Sequence, residues 1–297
     1  MSSTVAYLKE YKEYLTLKNY SQGTITVYLS SLRIFFDYCN KNRDASFDFQ
    51  QYSRRYILDL RSKGVSWSTV NIQYSSLKLF CIKIKRDKWD VDYLPRPKKS
   101  KRLPRILSQQ EVIRLIEAPR YFKHRVIIAF MYATGLRISE VLNIKLSDID
   151  SDRLELFICQ GKGKKDRIVI IPEKLLILLR VYYRKYKPKQ YLFEGATKAK
   201  RYCYGSVRKI IHRARSAAKI TKHVSPHTLR HCYATHHLEN GTDLVYLKEQ
   251  LGHSKLMTTA KYIHLCQKRQ RYINHPFDKL TIDITRQSLR QTHAKPW

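Results

Sequence analysis

With 297 residues, 43% of them hydrophobic, the chain can bury one large or two modest cores, and 58 Lys and Arg against 24 Asp and Glu leave it at +34. That charge favours a polyanionic partner, and nucleic acid ranks above a membrane surface because the cations run the length of the chain instead of lining one amphipathic helix. The longest apolar run, 126–133, is too short to span a bilayer, and Lys9, Glu10, Lys12 and Glu13 stand where a signal peptide would be apolar, so a cytoplasmic protein without membrane association is expected.

Residues 1–93 read as an all-helical bundle of four helices. Leu8, Tyr11 and Leu15 share a face of the first. Thr24 is positioned to cap a second that carries Tyr28, Leu32, Phe35, Phe36 and Cys39. Tyr52, Tyr56, Ile57 and Leu60 mark a third, stopped by Gly64. Val70, Tyr74, Leu77, Cys81 and Ile84 mark a fourth. Residues 94–107 then hold three prolines and six basic residues without one acid, which predicts an extended linker that straps along a phosphate backbone.

A second domain is expected over 108–280. Ser108 and Glu111 form a capping-box pattern, and helical signals follow to Tyr132. Residues 154–159 and 167–171 look like two strands joined at the Gly161–Gly163 turn, a β-hairpin. Helices return at 173–186, 204–218, 226–239 and 243–251. Ser225 with Pro226 makes a helix start, and Gly241 and Gly252 make stops. Residues 281–297 read as a polar tail. The six cysteines never form Cys-x-x-Cys and read as reduced, mostly packing residues.

Several residues carry candidate chemistry, and each has a plain alternative. His227 and Arg230 stand three apart on one helix face, as any basic surface helix would allow. His227 and His231 have metal-ligand spacing, but the Glu of a zincin is missing and Arg230 between them opposes a cation. His253 after Gly252 would ordinarily be a helix-end residue. Lys162, between two glycines, would ordinarily be a solvated turn residue. The loop around Lys162 is not a Walker loop, because it lacks the Gly-Lys-Ser/Thr ending and joins two strands. Tyr262 is one of 22 tyrosines. Arg137 is a second isolated arginine.

Together these residues match the demands of cutting a phosphodiester with a phenol. The phenol has a pKa near ~10 and must lose its proton, charge gathers on the phosphate oxygens, and the departing oxygen must gain a proton. Guanidinium groups answer the charge, and lysine or imidazole the proton traffic.

The order Arg137, Lys162, His227, Arg230, His253, Tyr262 resembles the tyrosine recombinase family, of the phage-integrase and Xer type. The surrounding blocks Ala133 to Glu140, Gly161-Lys162-Gly163, Ser225 to His231, Leu251 to Ser254 and Tyr262-Ile263-His264 look like family motifs. Ser21 to Ile25 followed by Tyr28 resembles the start of its core-binding domain. The resemblance covers about residues 5–275. It implies a mainly α fold: a SAM-like helical bundle, then a mostly helical catalytic domain with a small β-sheet.

It also implies roles. Arg137 and Arg230 would clamp the scissile phosphate. Lys162 would protonate the leaving 5′-oxygen, with Lys164 as its rival. His227 would move a proton for the nucleophile, His253 would bond a phosphate oxygen, and Tyr262 would become linked to the DNA 3′-phosphate. Glu140 would be a supporting acid. No cofactor, metal or ATP is expected. Double-stranded DNA is the expected partner, with a free monomer and a homo-tetramer on paired sites. The competing readings are a DNA-binding regulator that does not cut and a type IB topoisomerase. No further domain is expected ahead of residue 5. Apolar residues beyond Tyr262, among them Ile273, Phe277 and Leu280, would pack head-to-tail on a neighbouring protomer.

Overall fold

The computed structural model describes residues 2–42, 48–98, 105–159, 166–195, 197 and 199–266. It divides the chain into two compact units, Met1–Arg102 and Leu103–Trp297. The expected mainly helical architecture with one small sheet is the architecture found.

The first unit contains α1 (Ser2–Leu17), α2 (Gln22–Lys41), α3 (Phe49–Ser62) and α4 (Trp67–Phe80), the last continuing into a π-helical turn at Cys81–Lys85. The sequence had suggested Thr24 as the α2 cap. The cap is Ser21, whose hydroxyl accepts the Thr24 N–H at 3.3 Å, so Thr24 lies inside the first turn. The apolar pattern extends the fourth helix to Ile84; the α-helix ends at Phe80, and the widened turn carries Cys81 and Ile84 into the core.

Phe80 holds this core together. Its ring meets Tyr7, Tyr11, Phe36 and Phe49 with centroids 5.6–5.7 Å apart, joining three helices and the end of α4. Tyr11 Oη donates to the Ser76 carbonyl at 3.1 Å, and Ser76 Oγ donates to the Tyr28 carbonyl at 3.0 Å, which ties α1, α4 and α2 by satisfied polar groups.

Both flanks of the expected linker are anchored. Leu94 is buried in the first core, Arg96 Nε donates to Asn71 Oδ1, and the Asn71 amide donates to the Pro97 carbonyl. At the other flank Leu107 is buried in the second unit, where its N–H donates to Cys232 Sγ. Residues 99–104 between them lie outside the described residues.

The second unit contains α5 (Gln109–Glu117), α6 (Phe122–Thr134), α7 (Ile138–Asn143), β1 (Ile149–Asp150), β2 (Glu155–Ile158), β3 (Arg167–Ile170), α8 (Glu173–Tyr186), α9 (Tyr204–Ala217), α10 (Pro226–Glu239), α11 (Leu244–Leu251) and α12 (Leu256–Ala260). The Ser108 capping box is closed as expected, with Glu111 N–H on Ser108 Oγ at 3.2 Å and Ser108 N–H on Glu111 Oε2 at 2.7 Å. The hairpin is antiparallel with Leu156 opposite Val169, and the two-residue β1, which the sequence reading missed, adds a third strand beside β2. Leu156, Ile158, Val169 and Ile171 face a core shared with α6, α8, α9 and α10. Cys39, Cys81 and Cys232 are buried free thiols. Among the described residues no helix is long and apolar enough to cross a membrane.

Candidate active site

The site assembles where α6, α10 and α11 end or begin. Helix α6 stops at Gly135, whose φ of +60° is the left-handed region glycine favours, and a Cβ there would collide with the Tyr233 ring. The tight turn aims the Gly135 carbonyl at Arg230, whose Nη1 donates to it at 2.9 Å. Arg137 follows two residues later as the cap of α7.

Helix α10 starts at a Ser225 cap with Pro226 in its first turn, and it carries Arg230 inward, only 4% exposed. Arg230 Nη2 donates to the Leu251 carbonyl at 2.6 Å and to His253 Nε2 at 2.9 Å. Arg137 Nη2 reaches the Gly252 carbonyl at 3.4 Å. Two guanidinium groups thus sit on the last carbonyls of α11, the negative end of its dipole. Gly252 must be glycine twice over: φ is +61°, and a Cβ would lie 2.9 Å from Arg167 Nη1.

Glu140 is the only carboxylate bonded to this arginine group among the described residues. It accepts Arg137 Nη1 at 2.9 Å, Arg167 Nη1 at 3.1 Å and Arg167 Nη2 at 2.8 Å. Burial pushes its carboxyl up, but the Arg167 hydrogen bonds and charge, followed by Arg137, hold it below the ordinary range. Among the described residues no carboxylate is hydrogen-bonded to Arg230, and Glu140 acts on it only through its charge. Burial, with Arg137 beside it, brings its pKa down to about 10, still cationic at neutral pH.

His253 has a fixed tautomer. A guanidinium can only donate, so Nε2 is the acceptor from Arg230 and Nδ1 carries the proton, which it donates to Thr259 Oγ1 at 2.8 Å. Burial and then Arg230 push its pKa down to about 4, so the ring is neutral. Tyr262, 6% exposed, lies nearly parallel to the His253 ring at a centroid distance of 6.3 Å. Its hydroxyl stands 3.0 Å from His231 Nδ1. Burial raises the phenol pKa, while Arg230 and then Arg137 draw it back down.

Arg137, Arg230, His253 and Tyr262 are therefore brought together. His227 lies one turn before His231 on α10 and is exposed. Lys162 and Lys164 lie outside the described residues. Sequence reasoning missed Arg167 altogether and weighed His231 only as a metal ligand; its Nδ1 faces Tyr262, and among the described residues no three His, Cys, Asp or Glu side chains form a metal-binding group. The signal for Arg167 was strand parity: Arg167, Val169 and Ile171 alternate onto one face, so an arginine stands where the pattern points inward.

Residues 105–269 match the model of the phage integrase family, and residues 7–91 match that of the phage integrase N-terminal SAM-like domain. Tyrosine recombinase XerA of Pyrococcus furiosus is 36% identical over 268 residues, covering 88% of this chain and 90% of the relative. The chain belongs to the phage integrase family. It is a tyrosine recombinase, a site-specific recombination enzyme. The crystal structure of XerA recombinase, 31% identical, superposes with a TM-score of 0.53 over 91% of this chain and 100% of that one. The XerH site-specific recombinase, solved as a post-cleavage complex bound to palindromic difH substrate, shares the fold at a TM-score of 0.68 with 21% identity, over 85% of this chain and 79% of that one.

Proposed function

We propose that this recombinase binds duplex DNA in the cytoplasm and cuts each strand through Tyr262. The phenol oxygen forms a bond to the scissile phosphorus, the bond from phosphorus to the 5′-oxygen breaks, and the 3′-phosphate remains esterified to Tyr262. Arg137 and Arg230 hold the non-bridging oxygens, where charge develops in the transition state. Lys162 gives the departing 5′-oxygen its proton, with Lys164 as the alternative donor. His227 takes part in moving the phenol proton. His253, once a phosphate displaces its bond to Arg230 and raises its basicity, takes up a proton on Nε2 and donates it in a hydrogen bond to a phosphate oxygen. The ester conserves the bond energy, so a 5′-hydroxyl can attack it and rejoin the strand. The protein is a monomer when free and acts as four protomers on two paired sites, because four phosphates must be exchanged.

The observation that carries this reading is Arg230. It is buried, bonded to His253, hydrogen-bonded to no carboxylate among the described residues, and beside the Tyr262 phenol. A buried cation with no carboxylate bonded to it is costly, and a phosphodiester supplies a bonded negative charge.

A nicked suicide duplex carrying a site selected by the full chain from random-sequence DNA tests it. Wild type is expected to form a covalent adduct resistant to denaturation. Tyr262→Phe is expected to bind with unchanged affinity and form none. Arg137→Ala and Arg230→Ala are expected to slow adduct formation at least ~10²-fold while most affinity remains. Adduct formation by Tyr262→Phe at the wild-type rate overturns the nucleophile assignment.

A further inference from the structure

We infer that His231, which no motif reading assigned, is the group that receives the Tyr262 proton, with His227 carrying it onward to solvent. The inference rests on Tyr262 being the nucleophile.

The geometry points one way. His231 Nδ1 is 3.0 Å from Tyr262 Oη, and the two ring centroids are 5.4 Å apart. Arg230 also faces the phenol oxygen and can only donate toward it. The hydroxyl proton is therefore left to point at Nδ1, and the proton of neutral His231 resides on Nε2. His227 is one helical turn nearer the start of α10 on the same face, and it is exposed where His231 is partly buried. The inner histidine touches the reacting oxygen and the outer one meets water.

The charged and titratable groups facing His231 are His227 and Arg230 on its own helix, Tyr262, and His253 beyond α11. In the free protein, burial and then His227 and Arg230 keep His231 neutral, with a pKa of about 4. A neutral ring is an acceptor in place before substrate arrives. A phosphodiester on Arg137 and Arg230 adds negative charge beside it and raises its basicity when the proton must move. The step balances: Oη–H breaks as Oη–P forms, the proton passes to Nδ1, and the P–O5′ bond breaks with its pair on the leaving oxygen. In rejoining the path reverses: His231 regains a proton through His227 and gives it to the departing phenolate.

The test separates proton transfer from support of a buried hydroxyl. His231→Asn keeps an acceptor oxygen near the position of Nδ1 but cannot take up a proton at neutral pH. With the selected nicked duplex, it is expected to bind as wild type does and to form adduct about 10²-fold more slowly. Its rate should climb about tenfold per pH unit between about pH 6 and 9, because hydroxide must now remove the phenol proton, whereas the wild-type rate stays nearly flat. A 5′-bridging phosphorothiolate, whose sulfur leaves without a proton, should restore Lys162→Ala but not His231→Asn. His227→Ala should slow the reaction less than His231→Asn.

A wild-type rate in His231→Asn overturns the assignment, as does a wild-type pH profile. Rescue by the phosphorothiolate would place His231 at the leaving group instead. A larger defect in His227→Ala would give the role to His227. Absence of any adduct from wild type brings down the cleavage reading itself, and this role with it.

Discussion

Arg167 grips Glu140 with both terminal nitrogens, at 3.1 and 2.8 Å, and its Nε donates to the Gln250 carbonyl at 3.1 Å. The residue thus joins strand β3, the start of α7 and the end of α11, and a Cβ on Gly252 would lie 2.9 Å from its Nη1. Its consequence is indirect: Glu140, held on one side by Arg167, holds Arg137 on the other. Arg167→Ala is expected to cost about 3 kcal/mol, because Glu140 loses the partner that compensates most of its burial. It should also slow covalent adduct formation, since Arg137 loses its fixed orientation. Arg167→Lys restores charge but not the fork, so it should regain stability more fully than rate. Denaturant unfolding and single-turnover adduct formation check the two halves; an Arg167→Lys rate equal to wild type would reduce Arg167 to a purely stabilising role. The sequence displays Arg137, Arg230, His253 and Tyr262 because their neighbours are distinctive. Arg167 is hidden among 58 basic residues, where one more arginine reads as solvated charge until a structure shows it 11% exposed against a carboxylate.

Helix starts were legible because capping chemistry is local. Ser108 and Ser225 are caps in the structure as in the sequence, each with its own backbone N–H returned to the third helical residue. Thr24 misled because Ser21, three residues before it, is an equally good cap and the apolar pattern alone does not choose between them. The two-residue β1 and the π-turn after α4 were not legible: one is too short for alternation, and the other has no composition of its own. The turn after α6 was legible as a motif but not as a mechanism. Gly135 both ends α6 and delivers its carbonyl to Arg230 at 2.9 Å. Gly135→Ala imposes a left-handed conformation on a residue with a Cβ and drives that Cβ into Tyr233, part of the small cluster that packs Tyr262. It should lower stability by about 1–3 kcal/mol and cut adduct formation disproportionately. Gly241→Ala is the comparison: φ is also positive, at +84°, but a Cβ there would meet no atom within 4 Å. It should destabilise without the added loss of rate, and equal losses in the two variants would show that Arg230 does not depend on the Gly135 turn.

At the scale of the whole molecule, charge carries the argument. A net +34 distributed over both units and the segment between them is a design for phosphate, not for a single contact face. Duplex binding by such a chain releases condensed counterions, so log K should fall linearly with log salt, by about 0.9 for each phosphate neutralised. The segment from Arg96 to Arg105 was expected to lie along that backbone, yet its cations are not equivalent. Arg96 is already bonded to Asn71 and to Ser75 Oγ within the first unit, and such an arginine adds little to the slope. The segment's other cations are Lys98, Lys99, Lys101, Arg102 and Arg105, and the first four stand as one cluster in the sequence. Replacing these four with Ser should reduce the slope by up to about 3–4, while Arg96→Ala should change it by less than about 1 and instead release its bonds to the middle of α4. Filter binding or fluorescence anisotropy across a salt series measures both. If the quadruple variant keeps the wild-type slope, the segment joins the two units without touching DNA, and the electrostatic grip belongs to the folded surfaces alone.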